Sequence, residues 1–172
     1  MRRRRLLAAA GLACTGLVGP ARGQGVLPNG AVEVRGQVRQ PVLVQRNQWA
    51  GFAPRTFTEN RTITADGREM TRTIRYEGVL LRDLIDRAGL LPERRVVRRA
   101  VVLLTARDGY QASFSWGELY NSALGDGVIV VLRESEENLL ETDGLPAVRS
   151  LQDTRSGPRH VRWLARVEVL LP

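Results

Sequence analysis

Apolar positions along the chain fall into short alternating runs punctuated by Gly and Pro, and one stretch repeats at helical spacing. Ala31 to Val38 alternates loosely and predicts a first strand, which Pro41 breaks before Val42-Leu43-Val44 resumes extended structure. Arg61 to Ala65 and Arg68 to Ile74 flank Asp66-Gly67 and predict a hairpin, because both central positions of a two-residue turn need positive φ. Asp108-Gly109, Asp126-Gly127 and Asp143-Gly144 are read as further turns of this kind. Leu80, Leu81, Leu84, Ile85 and Ala88 recur with a helical period, Gly89 stands at C′ and Pro92 stops continuation, so this is the firm helix. Ala100 to Thr105 and Val128 to Leu132 are unbroken apolar runs and predict strands buried on both faces. Gln111 to Ser115 returns from Asp108-Gly109 with Ala112, Phe114 and Trp116 on one face, and Trp116 to Tyr120 starts a short helix. Leu164, Arg166, Glu168 and Leu170 alternate with Ala165, Val167 and Val169 in a terminal strand. The expected fold class is α+β, a mixed domain dominated by strands.

At 172 residues and 19.1 kDa the chain holds one domain of ordinary size. Its first residues read differently from the rest. Arg2 to Arg5 precede the uncharged stretch Leu6 to Val18, and small residues follow through Gly23, the three parts of a secretory signal. The apolar centre would span only about 20 Å as a helix, short for a membrane anchor. The expected organisation is a signal peptide over 1–23 and a single domain over 24–172, with a periplasmic or otherwise secreted destination. Arg3-Arg4-Arg5-Leu6-Leu7 also matches a twin-arginine export signal, and Gly11-Leu12-Ala13-Cys14 a lipoprotein site that would tie the chain to a membrane through Cys14. The first cleavage is preferred, since Gly11 stands where a larger aliphatic residue is usual.

That cut changes the picture of charge. Removing Arg2 to Arg5 and Arg22 turns a net +8 into +3, with 21 Arg against 18 acidic residues, too little excess for a nucleic-acid partner. It also removes Cys14, the one cysteine, so residues 24–172 offer no disulfide, thiolate nucleophile or thiolate metal ligand. All 26 basic residues are Arg, which excludes lysine chemistry. With His160 as the one histidine, no protein-ligated transition metal is expected. Glu134, Glu136, Glu137, Glu141 and Asp143 read as a solvated acidic loop rather than a calcium site. No G-x-S-x-G elbow supports a triad with His160, and no Gly-rich phosphate loop is present. One segment stands out. Arg149, Arg155, Arg159, Arg162 and Arg166 cluster with His160 around the turn Gly157-Pro158, and Asp153 is the one acid among them. Guanidinium forks beside outward-facing turn amides form an anion pocket, whereas the plainer reading is a solvated connection before the last strand.

Four motifs in order resemble a known family. Tyr76-Glu77-Gly78-Val79-Leu80-Leu81-Arg82-Asp83-Leu84-Ile85 resembles the helix entry of the oxidoreductase molybdopterin-binding domain, the sulfite-oxidase-like fold. Val101 to Tyr110 resembles that family's strand ending in Asp-Gly-Tyr, and Asp143 to Arg149 its G-x-P-x-R step with one extra residue. Gly157-Pro158-Arg159-His160-Val161-Arg162-Trp163-Leu164 resembles its G-x-R-x-V-K/R-W-L close.

The resemblance implies a sulfite-oxidase-like domain that grips molybdopterin, with Arg149, Arg159, His160 and Arg162 contacting the cofactor. The partner would be this pterin or another small anion, and the redox partner stays open. Catalytic members of the family ligate molybdenum through a cysteine ahead of the helix. The matching region, Arg61 to Thr73, holds Thr62, Thr64, Thr71 and Thr73 and no Cys. Three readings therefore stand: a pterin- or anion-binding homologue, a scaffold that keeps the fold without cofactor, and a molybdenum oxidoreductase without thiolate ligation. The catalytic residues are not assigned.

Overall fold

The computed structural model describes residues 27–65, 67–90, 94–136, 139–141, 143–155 and 157–172. The export segment with Cys14, and Asp66, Pro92, Glu137 and Ser156, lie outside the described residues. In chain order the elements are β1 (Val32–Gly36), β2 (Val42–Val44), a 3-10 helix (Arg46–Phe52), β3 (Arg55–Ala65), β4 (Arg68–Leu80), α1 (Leu81–Ala88) and α2 (Arg94–Val97). Next come β5 (Val101–Ala106), β6 (Gln111–Ser115), α3 (Trp116–Tyr120), a second 3-10 helix (Ala123–Gly127), β7 (Val128–Glu136), β8 (Leu139–Glu141), β9 (Ala147–Ser150) and β10 (Leu164–Leu170).

The strands form two sheets. One runs β2-β1-β10-β5-β6, the other β3-β4-β7-β8 with β9 also paired to β7. β1 and β10 pair in parallel, which the distance between them in the chain makes possible, and the neighbouring pairs are antiparallel. The main core lies between the sheets. α1 turns Leu81, Leu84, Ile85 and Ala88 into it, against Val34, Leu104, Val167 and Val169 of the first sheet and Val79, Val128, Val130 and Val148 of the second. Burying each of the Val, Leu and Ile side chains among them contributes about 1.5–3 kcal/mol. A smaller cluster covers the outer face of the second sheet: Ile74, Tyr76, Leu80, Ile129 and Val131, with Phe57, Leu145 and Leu151 packed on it. The second sheet is thus covered on both faces around β7, which is why Val128 to Val131 reads as an unbroken apolar run.

The fold class is the expected strand-dominated α+β arrangement. Some local expectations are corrected. β5 is not buried on both faces; its exposure alternates residue by residue, with Val102, Leu104 and Ala106 turned into the core and Val101, Leu103 and Thr105 partly exposed. The hairpin is longer than predicted, with Arg55 already paired to Gly78. Asp126-Gly127 closes a 3-10 helix instead of a hairpin, whereas Gly109 (φ 90°) and Gly144 (φ 82°) take the left-handed backbone that Asp-Gly suggested. A register shift between Leu164 and Arg166 lets Leu164 share the core with Val167 and Val169. Gly78 sits at a similar irregularity, and a Cβ there would come 2.4 Å from the Val130 carbonyl oxygen, so only glycine lets β4 approach β7.

Candidate functional site

β9 decides the fate of Arg149. Val148 points into the main core, so its neighbour Arg149 must face the outer cluster, where it lies opposite Ile129 and is 3% exposed. A guanidinium so deeply buried needs a counter-charge. Glu59 of β3 supplies it: Arg149 Nη2 donates to both carboxylate oxygens, at 3.0 and 2.7 Å. The Tyr76 hydroxyl donates to Glu59 Oε2 at 2.7 Å, and Arg61 Nη2 donates to Tyr76 Oη at 2.5 Å and to Glu59 Oε2 at 3.3 Å. Burial pushes the Glu59 carboxyl up, but the hydrogen bonds from Tyr76 and Arg149 and the charges of Arg149 and Arg61 outweigh it and hold the group below its ordinary value. Burial, with its bond to Glu59, pushes the Tyr76 hydroxyl well above its ordinary value.

His160 is partly buried next to this cluster. Burial, then the charges of Arg149, Arg162 and Arg61, push it down to about 4, so the ring is neutral at pH 7. Arg159 belongs elsewhere. Its Nε donates to Asp153 Oδ2 at 2.8 Å, Nη2 to Asp153 Oδ1, and Nη1 to Glu118 Oε1 at 2.7 Å, while the guanidinium carbon lies 4.5 Å from the Phe114 ring centre. Asp153 also accepts from Ser150 Oγ, and Glu118 is the closing residue of the α3 capping box. Arg159 therefore braces the loop before the final strand onto α3. Arg166 pairs with Glu33, and Arg155 is exposed.

Arg162 takes a third position. Nη2 donates to the Asp143 carbonyl oxygen at 2.7 Å, and the guanidinium carbon lies 5.4 Å from the Trp163 ring centre. It packs against Gly144, where a Cβ would come within 2.3 Å of Arg162 Nε. Trp163 itself holds a left-handed backbone at φ 49°, fixed by its N–H donating to Gly144 O at 2.6 Å and its carbonyl accepting from Arg107 N. A left-handed backbone is uncommon in a bulky residue and persists here because these two hydrogen bonds hold it.

Trp163 borders a cavity of about 390 Å³. Its walls are Arg46 and Trp49 of the first 3-10 helix, the Asn29-Gly30 turn, Leu132 and Arg133 of β7, and the Asp143 to Pro146 turn. The exposed Trp163 ring and the Arg46 guanidinium, with Arg133 shared between the cavity and Glu77 and Trp49 buried beneath, suit a flat, anionic heterocycle. Of the four site residues expected from sequence, Arg149 and Arg162 each come within electrostatic reach of His160, Arg159 does not, and none of the four lines this cavity. Sequence reasoning did not single out Glu59, Arg61, Arg46, Trp49 or Arg133. Trp49 carried one usable signal, being one of only three tryptophans. Among the described residues no group of three or more His, Cys, Asp or Glu is placed to hold a metal ion.

Residues 31–171 match the family model for the oxidoreductase molybdopterin binding domain. The chain belongs to this family. Its fold is shared with the sulfane dehydrogenase SoxCD from Paracoccus pantotrophus, at a TM-score of 0.58 and 18% identity over 84% of this chain and 39% of that one. The chain thus spans about two fifths of that protein's length. Among curated proteins none matches the sequence. The family's namesake group joins a planar pterin to a phosphate; of the cavity walls, the exposed Trp163 offers a ring face and the exposed Arg46 a charge, while Trp49 is 6% exposed and packed in the core and Arg133 is shared with Glu77 at 3.0 Å.

Proposed function

We propose that this member of the family is an exported protein that binds molybdopterin, or a pterin phosphate of the same class, in the cavity between Trp49 and Trp163, without holding a metal through a side chain of its own. The observation that carries this reading is the exposed Trp163 ring set with Arg46 and the Glu77-paired Arg133 around about 390 Å³, on a floor that includes the buried Trp49. Arg162 contributes from behind, fixing the Asp143-Gly144 turn against Trp163. Molybdopterin, when bound, supplies a dithiolene able to carry a metal. Of the chain's own residues, Trp163 would stack on the rings, and Arg46 with Arg133 would neutralise the phosphate. The missing thiolate in Arg61 to Thr73 sets this member apart from sulfur-ligated oxidoreductases. Export would rest on Met1 to Gly23, whose removal leaves a domain beginning at Gln24.

The test is chemical analysis of protein recovered from the compartment to which it is exported. Oxidised pterin fluorescence at near-stoichiometric level in the wild type, and its loss in Arg46→Ala/Arg133→Ala with an unchanged fold, are expected. Pterin occupancy unaffected by that double change would refute the cavity. A scaffold without cofactor is favoured by one observation, the engagement of Arg149 by Glu59 and of Arg159 by Asp153 and Glu118, and it requires neither pterin nor metal in the same sample. Near-stoichiometric molybdenum would favour an active oxidoreductase.

A further inference from the structure

The outer face of the second sheet holds an arrangement that the proposed cavity does not use. None of Glu59, Arg61, Tyr76 and Arg149 borders that cavity, so the role of this group does not depend on the ligand placed there. The Glu59 carboxylate receives Arg149 Nη2 on both oxygens, Tyr76 Oη at 2.7 Å and Arg61 Nη2 at 3.3 Å. His160 lies close enough for its titration to sense Arg149, Arg61 and Glu59. Two guanidinium groups and a phenol converging on two oxygens are the donor set of an oxyanion site. Two of its members cannot turn elsewhere: Arg149 is 3% exposed and Tyr76 fully buried. Arg61 Nε is also buried and lacks a hydrogen-bond partner among the described residues. The base of the site is rigid. β9 fixes Arg149 by pairing with β7, and β4 fixes Tyr76 by pairing with the same strand.

The carboxylate that fills the site arrives by another route. Glu59 stands on β3, at the edge of the sheet and 90 residues from Arg149. We propose that Arg149, Arg61 and Tyr76 form an oxyanion site, specific for a carboxylate or phosphate group, that the chain fills from within with Glu59. Glu59 is then an internal competitor. It neutralises the buried Arg149 guanidinium and keeps small external anions out; Glu134, 3.9 Å from Arg61 Nη2, shares that donor, so an external oxyanion reaches the set only where the Glu59 carboxylate has gone and meets Arg149 and Tyr76 first. The alternative is an ion pair that serves packing alone, with no capacity to exchange its anion.

Chemical rescue separates the two. Glu59→Ala removes the carboxylate and the γ-methylene that carries it, an acetate-sized piece, leaving room for acetate or inorganic phosphate beside Arg149. Thermal unfolding of Glu59→Ala is measured in acetate, phosphate and chloride at equal ionic strength, and binding of each anion is measured by calorimetry. The proposal expects acetate and phosphate, not chloride, to raise the melting temperature of Glu59→Ala by several degrees more than that of the wild type. It expects their affinity for the variant to be at least tenfold higher, and both effects to vanish in Glu59→Ala/Arg149→Met. Glu59→Gln keeps the volume occupied and is expected to show no rescue. Equal shifts in wild type and variant, rescue that survives loss of Arg149, or no rescue by either oxyanion would each overturn the proposal. Should Glu59→Ala not fold in chloride, the readout becomes recovery of its circular dichroism on adding acetate or phosphate, with Glu59→Ser treated in parallel. Failure of both variants to recover overturns it as well.

Discussion

Adding a single methyl group at Gly144 tests whether Arg162 and the turn beside the cavity are one unit. Gly144 has φ 82°, a region that costs an L-residue about 1–2 kcal/mol. Its new Cβ would stand 2.3 Å from Arg162 Nε, 2.9 Å from Nη2 and 3.0 Å from Cζ, so the whole planar head must move and not merely its tip. Moving it breaks the bond to the Asp143 carbonyl, at about 1 kcal/mol. It also breaks the contact with the Trp163 face, at about 0.5–1 kcal/mol for an exposed cation–π pair. Gly144→Ala is therefore expected to destabilise by about 2.5–4 kcal/mol, a fall in Tm of roughly 5–15 °C for a domain of this size. Circular dichroism melts of wild type, Gly144→Ala, Arg162→Ala and the double variant form the assay. With Arg162 truncated there is nothing left to displace, so Gly144→Ala should then cost only the backbone part, about 1–2 kcal/mol. An equal cost of Gly144→Ala in both backgrounds would refute the reasoning, because Arg162 would not be lying over Gly144.

Three further outcomes are expected. His160 stays neutral in the folded state down to about pH 4, whereas an unfolded histidine takes its proton near 6.5. The unfolded chain therefore binds more protons between those values, and stability falls as pH drops from about 6.5 to 4. The full linkage of about 3 kcal/mol shrinks to about 1 for a half-buried ring, and His160→Gln should flatten urea midpoints over that window. Arg159→Met should cost about 2–3 kcal/mol at pH 7 by stranding Asp153 and Glu118, with Arg159→Lys recovering only part, since a point charge cannot span both carboxylates. Both carboxyls are held low in the folded state, so this loss should be fully present above pH 4.5 and shrink as pH falls through their folded values, read from the same melts in acid. Leu84→Ala, at a fully buried position of α1, should cost about 2–5 kcal/mol in chemical denaturation while leaving pterin occupancy per folded molecule unchanged.

How far each feature could be read in advance depends on the range of the forces behind it. α1 was legible because its period, its C′ glycine and its apolar stripe are all local, and the observed Leu81 to Ala88 differs from the expectation by one residue at its start. The 3-10 helix Arg46–Phe52 was not, since it has few hydrogen bonds of its own and is held by Trp49 packing into the core. β9 was missed because a strand of four residues has no periodicity to show, and its burial on both faces depends on a partner strand and a covering loop. The candidate site divided in the same way. The cluster of late arginines is visible as composition, but their destinations are not. Arg149 and Arg159 are ten residues apart in the sequence and answer to carboxylates on different elements, Glu59 of β3 for one, Asp153 and Glu118 for the other.

The linear order of residues by itself determined the strand-dominated α+β class, the firm helix, the charge excess concentrated in the first residues and the lack of any thiol beyond Cys14. Each is a local pattern or a count, and none depends on what lies across the fold. The tertiary structure alone decided which guanidinium groups are neutralised and which border a cavity. The alternation of β9 sends Arg149 to the outer face, and only the long hairpin brings Glu59 there to meet it. A side chain's charge is written in the sequence, but the field it experiences comes from neighbours gathered by folding, and those neighbours set what the charge is able to bind.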